Sequence, residues 1–297
     1  MESYFAIPKK IKIHYSQYKG NFFMKIPSGL RQIAFRHKGE THGPITRLVS
    51  PGDIGEMIKP FVFLDYVNAT IGPGFGFHPH SGIATLTHPL TFDLEHEASS
   101  GQIDTVKEGG VEWVVAGGGI WHRSKVLRGE PVQGFQLWFA LPPTHESMEP
   151  STQFISPEEV PKSGPVSILL GEYESKKSLI KAPIEANCYL ILLKGNEEWT
   201  YNPPGSHNVA WAFLQKGQIQ VNGQQLSQEL VVFEEGKGAL RFHAVEESRL
   251  LFGSAAKHKY PLVLGSHSVH TSGKALENGK KRINEIGQRL RQEGKLI

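Results

Sequence analysis

The chain has 297 residues and a single cysteine, Cys188, so no disulfide can form within it. One thiol in the apolar run NCYLILL reads as a small core residue and suits a reducing compartment. The N-terminal stretch MESYFAIPKKIKIHYSQYKGNFF has no long apolar core of the signal-peptide kind. No window approaches the ~18 apolar residues that a spanning helix needs. A cytoplasmic protein without a membrane partner is expected. Charge of one sign is also lacking, with 32 basic against 29 acidic side chains and a net +3. The basic residues form no stripe, and the locally basic end GKKRINEIGQRLRQEGKLI is interleaved with Glu285 and Glu293. Direct nucleic-acid binding is therefore not expected. A GxSxG elbow is missing, and the glycines of AGGGIW are not followed by Gly-Lys-Ser/Thr. Serine-hydrolase and phosphate-loop chemistry thus have no support.

Helical periodicity is scarce too. It is convincing only where Ile283, Ile286 and Leu290 recur near the C-terminus. Glycine (32) and proline (19) are abundant, and they punctuate short apolar runs such as PFVFLDYV, ATLTHPLTF, VEWVVA, FQLWFALP, CYLILL and VAWAFL. Runs of this length, rich in Val, Leu, Phe and Trp, indicate antiparallel strands. GQIQVNGQQL alternates apolar and polar residues around an Asn-Gly turn, a hairpin signal. The fold class expected is all-β. The strands cluster in two groups separated by the proline-rich PPTHESMEPSTQFISPEEVPKSGP. This suggests an N-terminal extension (1–30), a first β domain (31–145), a linker (146–165), a second β domain (166–270) and a C-terminal helix (271–297).

The chemistry is concentrated in GFHPHSG, which places His78 and His80 two residues apart. On an extended segment both imidazoles face the same way. Pro79 suppresses helix at His78 and stiffens the segment. Alone, the pair is a weak metal signal and reads more readily as two polar residues in a turn. A third histidine, His122, follows the glycine turn of AGGGIWH. Three imidazoles from two segments can converge inside a β-barrel and hold Zn, Fe, Cu or Ni while leaving coordination positions open. Phe75 and Phe77 flank the motif and are expected to form an apolar collar. Trp113, Trp121 and Trp138 read as core, with one of them, such as Trp121, walling a pocket.

PFVFLDYV, GFGFHPHSGIATL, VEWVVAGGGIWH and GFQLWFALP resemble the N-terminal half of the pirin family, and YNPPGSHNVAWAFLQKGQIQVNG resembles its second half. The resemblance runs from about residue 30 to the C-terminal helix. It implies two cupin-type antiparallel β-barrels, a bicupin. It also implies one mononuclear metal in the first barrel and none in the second. The metal implied is Fe(II), with Zn, Mn, Ni or Cu as alternatives. Two functions follow from the resemblance. One is a quercetin 2,3-dioxygenase activity on a small aromatic substrate. The other is a non-catalytic, metal-dependent regulatory role with a protein partner.

The family's metal ligands fall on His78, His80 and His122, and its glutamate ligand falls on Ser124. A second family glutamate, four residues beyond the second histidine, falls on Ala84. Three neutral imidazoles leave the whole charge of a divalent ion uncompensated and depart from the 2-His-1-carboxylate set of non-haem iron oxygenases. Glu95, Glu97 and Asp104, in the intervening segment, are the candidates for a replacement carboxylate. His88 is a candidate barrel-lining residue. His96, in DLEHEA, is either a group supporting the site or a solvated one.

Overall fold

The computed structural model describes residues 29–70 and 74–296. Nearly all of the expected N-terminal extension lies outside the described residues. The fold is all-β, with a long C-terminal helix at Gly273–Gln292. Each half of the chain is a two-sheet, cupin-type unit, one large sheet facing one small sheet.

In the first half the large sheet runs, in spatial order, Ser151–Ile155, Val111–Val115, Ile83–Pro89, Val132–Ala140, Phe61–Ala69, Ile45–Val49 and Glu40–His42. Its small sheet runs Phe75–His80, Ile120–Arg128, Asp93–Ala98 and Ile103–Val106. The second half repeats the plan, with a seven-stranded sheet around Val209–Lys216 and Ser248–Ala255 and a four-stranded sheet around Leu240–Ala244. Tyr189, Trp199, Tyr201, Phe242 and Phe252 fill the second interior. The pairings between these strands are antiparallel, so side chains alternate between the interior of each unit and the face behind it.

The two large sheets pack back to back. Trp113, Phe61 and Phe139 from the first half share one buried cluster with Trp211, Phe213 and Leu190 from the second. The Phe61 and Trp211 rings meet edge-on at 5.3 Å. Cys188 is fully buried in this cluster, and desolvation pushes its thiol up, out of reach of thiolate chemistry.

The halves also exchange their ends. Strand Ile33–His37 pairs with Leu230–Phe233 of the second unit. In return, the pair Val263–Leu264 and Val269–His270 and the helix lie against the first unit. Ser272 caps the helix by accepting from the Ala275 amide at 3.2 Å. Leu276, Ile283, Ile286 and Leu290 form its buried stripe. The proline-rich 146–165 segment is not purely a connector. Ser151–Ile155 pairs with Val111–Val115 as an edge strand of the first large sheet. Its polar first three residues, Ser-Thr-Gln, mask the strand pattern, and Pro150 and Pro157 confine it to five residues.

Candidate metal centre

The three histidines come from neighbouring strands of the small sheet. His78 and His80 alternate with Phe77 and Pro79 on Phe75–His80, and His122 lies directly across from His78 on Ile120–Arg128. His78 and His122 have ring centroids 4.5 Å apart, and His80 lies 5.0 Å from His78 and 5.1 Å from His122. One ligand-type nitrogen from each ring falls within 4.8 Å of the other two, the one such group of three among the described residues. Donors held about 2.1 Å from a common ion stand roughly 3–3.5 Å apart, so modest ring rotations close the set.

The rings are prepared for this. His78 Nδ1 lies 2.8 Å from the Gly76 carbonyl, and His80 Nδ1 lies 3.0 Å from the His267 carbonyl. A carbonyl can only accept, so each Nδ1 carries the proton and each Nε2 presents a lone pair. Both ring nitrogens of His122 are buried without a hydrogen-bond partner. A buried, unsatisfied imidazole is costly, and a metal would remove part of that cost. Burial pushes His78 down to about 4 and holds His80 and His122 well below the usual histidine range, so all three stay neutral donors at pH 7. The site residues fit a divalent metal by these three observations.

The cavity at the centre measures about 60 Å³. It is room for an ion with a water or two, or for the polar edge of a larger ligand. Opposite the imidazoles, one transverse row of the large sheet is polar. Glu112, Thr87, Gln136, Asp65 and Arg47 stand in register on five successive strands. Thr87 Oγ1 donates to Glu112 at 2.5 Å and meets the Gln136 amide oxygen at 3.0 Å. Arg47 grips Asp65 through two nitrogens, the second at 3.1 Å. Burial nevertheless pushes the Asp65 carboxyl up to about 6.

Across the sandwich, His96 Nδ1 stands 2.5 Å from the Glu112 carboxylate, with both side chains almost completely buried. The contact is close but lacks hydrogen-bond geometry. Burial alone would raise the Glu112 carboxyl, but the close approach of His96, the Thr87 hydroxyl and the nearby His78 together bring it below the usual range.

Ser124 lines the cavity, as its alignment with His122 suggests, and lies across from His96 on the neighbouring strand. Phe75 lines it too. Between His122 and Ser124 the register slips, so His122 faces His78 while Ser124 faces Phe75. This bulge turns Phe75 inward and leaves Phe77 outside, under the Arg123 guanidinium at 5.0 Å. Trp121 also points away, donating its indole N–H to the Ile283 carbonyl of the helix at 2.7 Å. The cavity tryptophan is instead Trp138, stacked on Phe63 at 4.1 Å. Glu97 faces outward to Arg123 at 2.5 Å, Glu95 lies in a surface groove, and Asp104 is exposed, so none of the three enters the cavity. His88 is buried on the other side of its strand and meets the Gly110 carbonyl at 2.7 Å.

Glu112 belongs to no metal-ligand spacing in the sequence. A signal existed, since VEWVV places one glutamate inside an otherwise apolar strand. Such a position demands a buried partner.

Residues 44–139 match the sequence model of one protein family, Pirin. The chain is 30% identical over 220 residues to a pirin-like protein of Caulobacter vibrioides, covering 68% of this chain and 75% of that one. Among solved structures it is similar to a quercetin 2,3-dioxygenase from Acinetobacter baumannii, with TM-score 0.80, 22% identity, and coverage of 86% of this chain and 97% of the other. It is also similar to the bacterial pirin YhhW of Escherichia coli in complex with nickel(II), with TM-score 0.61, 22% identity, and coverage of 75% and 99%.

Proposed function

The chain belongs to the pirin family, and from that premise we propose that it is a mononuclear metal protein whose ion is held by His78, His80 and His122. The observation that carries this reading is the convergence of three neutral imidazoles, His80 and His122 buried and His78 half-buried, two of them oriented through Nδ1 by backbone carbonyls. Fe(II) is the proposed metal, with Ni, Zn, Mn and Cu as alternatives suited to imidazole. Nickel(II) in the Escherichia coli pirin keeps that alternative prominent. The metal-bearing unit is proposed to span 31–145 and the supporting unit 166–270, joined by 146–165 and closed by the helix at 271–297.

The reaction proposed is oxygenation of a hydroxylated aromatic of the quercetin type, which is the activity named for the similar Acinetobacter protein. A bound divalent ion would supply Lewis-acid and redox chemistry at its open positions. The chain's own part is to bind, orient and exclude water. The cavity accepts the hydroxyl-bearing edge of such a molecule rather than its whole ring system. Phe75 and Trp138 offer apolar contact to the entering edge, and Ser124 offers a small hydrogen-bonding wall.

A second reading is favoured by Ser124 itself. With no carboxylate at that position, the site suits metal-dependent binding of a regulatory partner without turnover. Two measurements separate these readings. Metal analysis of protein purified without chelators, with His80→Ala beside it, is expected to give near-stoichiometric metal that the variant loses. Oxygen uptake by the metal-loaded protein with quercetin then supports oxygenation. Metal without uptake supports the binding role, and absence of metal from the wild type overturns both.

A further inference from the structure

The carboxylate missing at position 124 has a counterpart elsewhere in the same cavity. Glu112 projects from Val111–Val115, on the sheet opposite the histidines. Its two oxygens are engaged, one by Thr87 at 2.5 Å and the other by His96 at 2.5 Å. Glu112 is 2% exposed and His96 1%. Two such polar side chains are buried together only where their pairing offsets desolvation.

The pairing fixes the chemistry of His96. Its Nδ1 faces a carboxylate, which can only accept, so Nδ1 carries a proton and Nε2 is the ring's other polar atom. Nε2 is buried without a hydrogen-bond partner, and the approach of Nδ1 to Glu112 is close but lacks hydrogen-bond geometry. The ring lines the cavity, 5.2 Å from the His122 ring. His96 is also the cross-strand partner of Ser124. A serine at that register position leaves room in front of the imidazole that a longer acidic side chain would take up. His96 does not join the three-histidine set, because its nitrogens fall outside that group's mutual reach. It stands beside the set as a buried imidazole with an unsatisfied Nε2.

We infer that Glu112, acting through His96, replaces the carboxylate lacking at position 124, and that His96 Nε2 accepts a hydrogen bond from the hydroxyl of an aromatic ligand entering the cavity. This rests on the proposed quercetin-type ligand of the metal centre. Glu112 is then a positioning residue and His96 the group that touches the ligand. The ligand hydroxyl donates, Nε2 accepts, and the Nδ1–H to Glu112 holds the ring in place. Specificity follows, because a site built around a buried acceptor discriminates against an analogue lacking the hydroxyl.

The test uses full-length, zinc-loaded protein, which binds without oxidative turnover. Quercetin is compared with luteolin, which lacks the 3-hydroxyl, by absorbance titration. The proteins are wild type, Glu112→Gln, His96→Gln, and Glu112→Gln combined with Ser124→Glu. The inference expects each single variant to weaken quercetin binding about ten-fold, the upper scale of one buried hydrogen bond. Luteolin binding is expected to change by less than about two-fold and zinc affinity by less than about three-fold, well under the loss that follows when a group supporting a metal ligand is removed. Ser124→Glu is expected to restore part of the quercetin affinity. Thermal melts of each variant check that the fold is retained, and Glu112→Gln keeps the side chain's shape if His96→Gln does not fold. Equal weakening of both flavonoids, or no weakening, overturns the inference while leaving the metal centre intact. Wild type that binds zinc but not quercetin overturns the inference and the substrate reading. Failure to bind zinc overturns these and the metal reading as well.

Discussion

His80 Nδ1 lies 3.0 Å from the main-chain carbonyl of His267, so a metal-type histidine of the first unit is oriented by a strap arriving from beyond the second. The strap is anchored on both sides of that contact. Ser81 donates to Ser268 at 2.8 Å and meets His270 Nε2 at 3.0 Å. Glu146 receives the Thr271 amide at 2.8 Å and the Thr271 hydroxyl at 2.7 Å. Backbone packing on the strap leaves no slack. Gly82, at φ +74°, would place a Cβ 2.2 Å from the Val269 carbonyl and 2.8 Å from the His270 ring.

Gly82→Ala is therefore expected to lift the strap off the site. The combined cost of positive φ and overpacking is about 3 kcal/mol. Loss of the His267 carbonyl behind His80 is expected to weaken metal binding by about ten-fold or more. Chemical denaturation measures the first effect and competition against a chelating dye the second. Unchanged affinity in a destabilised but folded variant would detach the strap from the site.

Metal should stabilise the wild-type fold through His122. Ligand present at a hundred times its dissociation constant adds about 2.7 kcal/mol, which appears as a rise in melting temperature of a few degrees. His122→Ala is expected to lose that rise. It removes two buried nitrogens without hydrogen-bond partners, so its metal-free form should melt within a few degrees of the metal-free wild type. Differential scanning calorimetry with and without added metal decides this.

Restoring a carboxylate at position 124 should tighten metal binding. Ser124 already lines the cavity, and a glutamate there would offset charge that three neutral imidazoles leave in place. An increase of about ten-fold in affinity for a divalent ion corresponds to about 1.4 kcal/mol. Isothermal titration of the metal-free protein measures it. A decrease would mean that the cavity has no room for the longer side chain.

Acid should destabilise the metal-free protein in a defined window. Burial holds His78 and His88 at about 4 in the folded state, whereas an unfolded imidazole titrates near 6.5. Above pH 6.5 neither state binds the proton and their contribution to stability is complete. Below it the unfolded chain takes up protons that the folded chain refuses, so stability falls from pH 6.5 down to about 4. His88→Gln is expected to make that fall shallower. Urea midpoints measured across the window test the slope, and a midpoint independent of pH between 6.5 and 4 would contradict it.

Which parts of the centre were legible in the chain depends on whether periodicity or packing placed them. His78 and His80 share a face because a strand repeats every two residues, and that repeat is written in HPH. Ser124 follows from His122 in the same way, although a bulge in the partner strand alters what faces it. Phe77 and Trp121 were expected at the pocket and lie outside it. The bulge inverts one, and the helix draws the other away through Ile283. Glu112 went unnoticed because its partners are distant in sequence. His96 is on the opposite sheet, and Thr87 is on the adjacent strand, 25 residues earlier.

The all-β class, the two-unit plan, the helix at the end and the three histidines can be read from the chain alone. All of these are encoded in local alternation, turn residues and short spacings. Tertiary structure alone decided the exchange of chain ends between units, the strap behind His80, and the meeting of His96 with Glu112 across the sandwich. The physical reason is common to all three. They are contacts between segments far apart in the chain, set by which sheets face each other and which buried polar groups must find partners. No window of neighbouring residues carries that information.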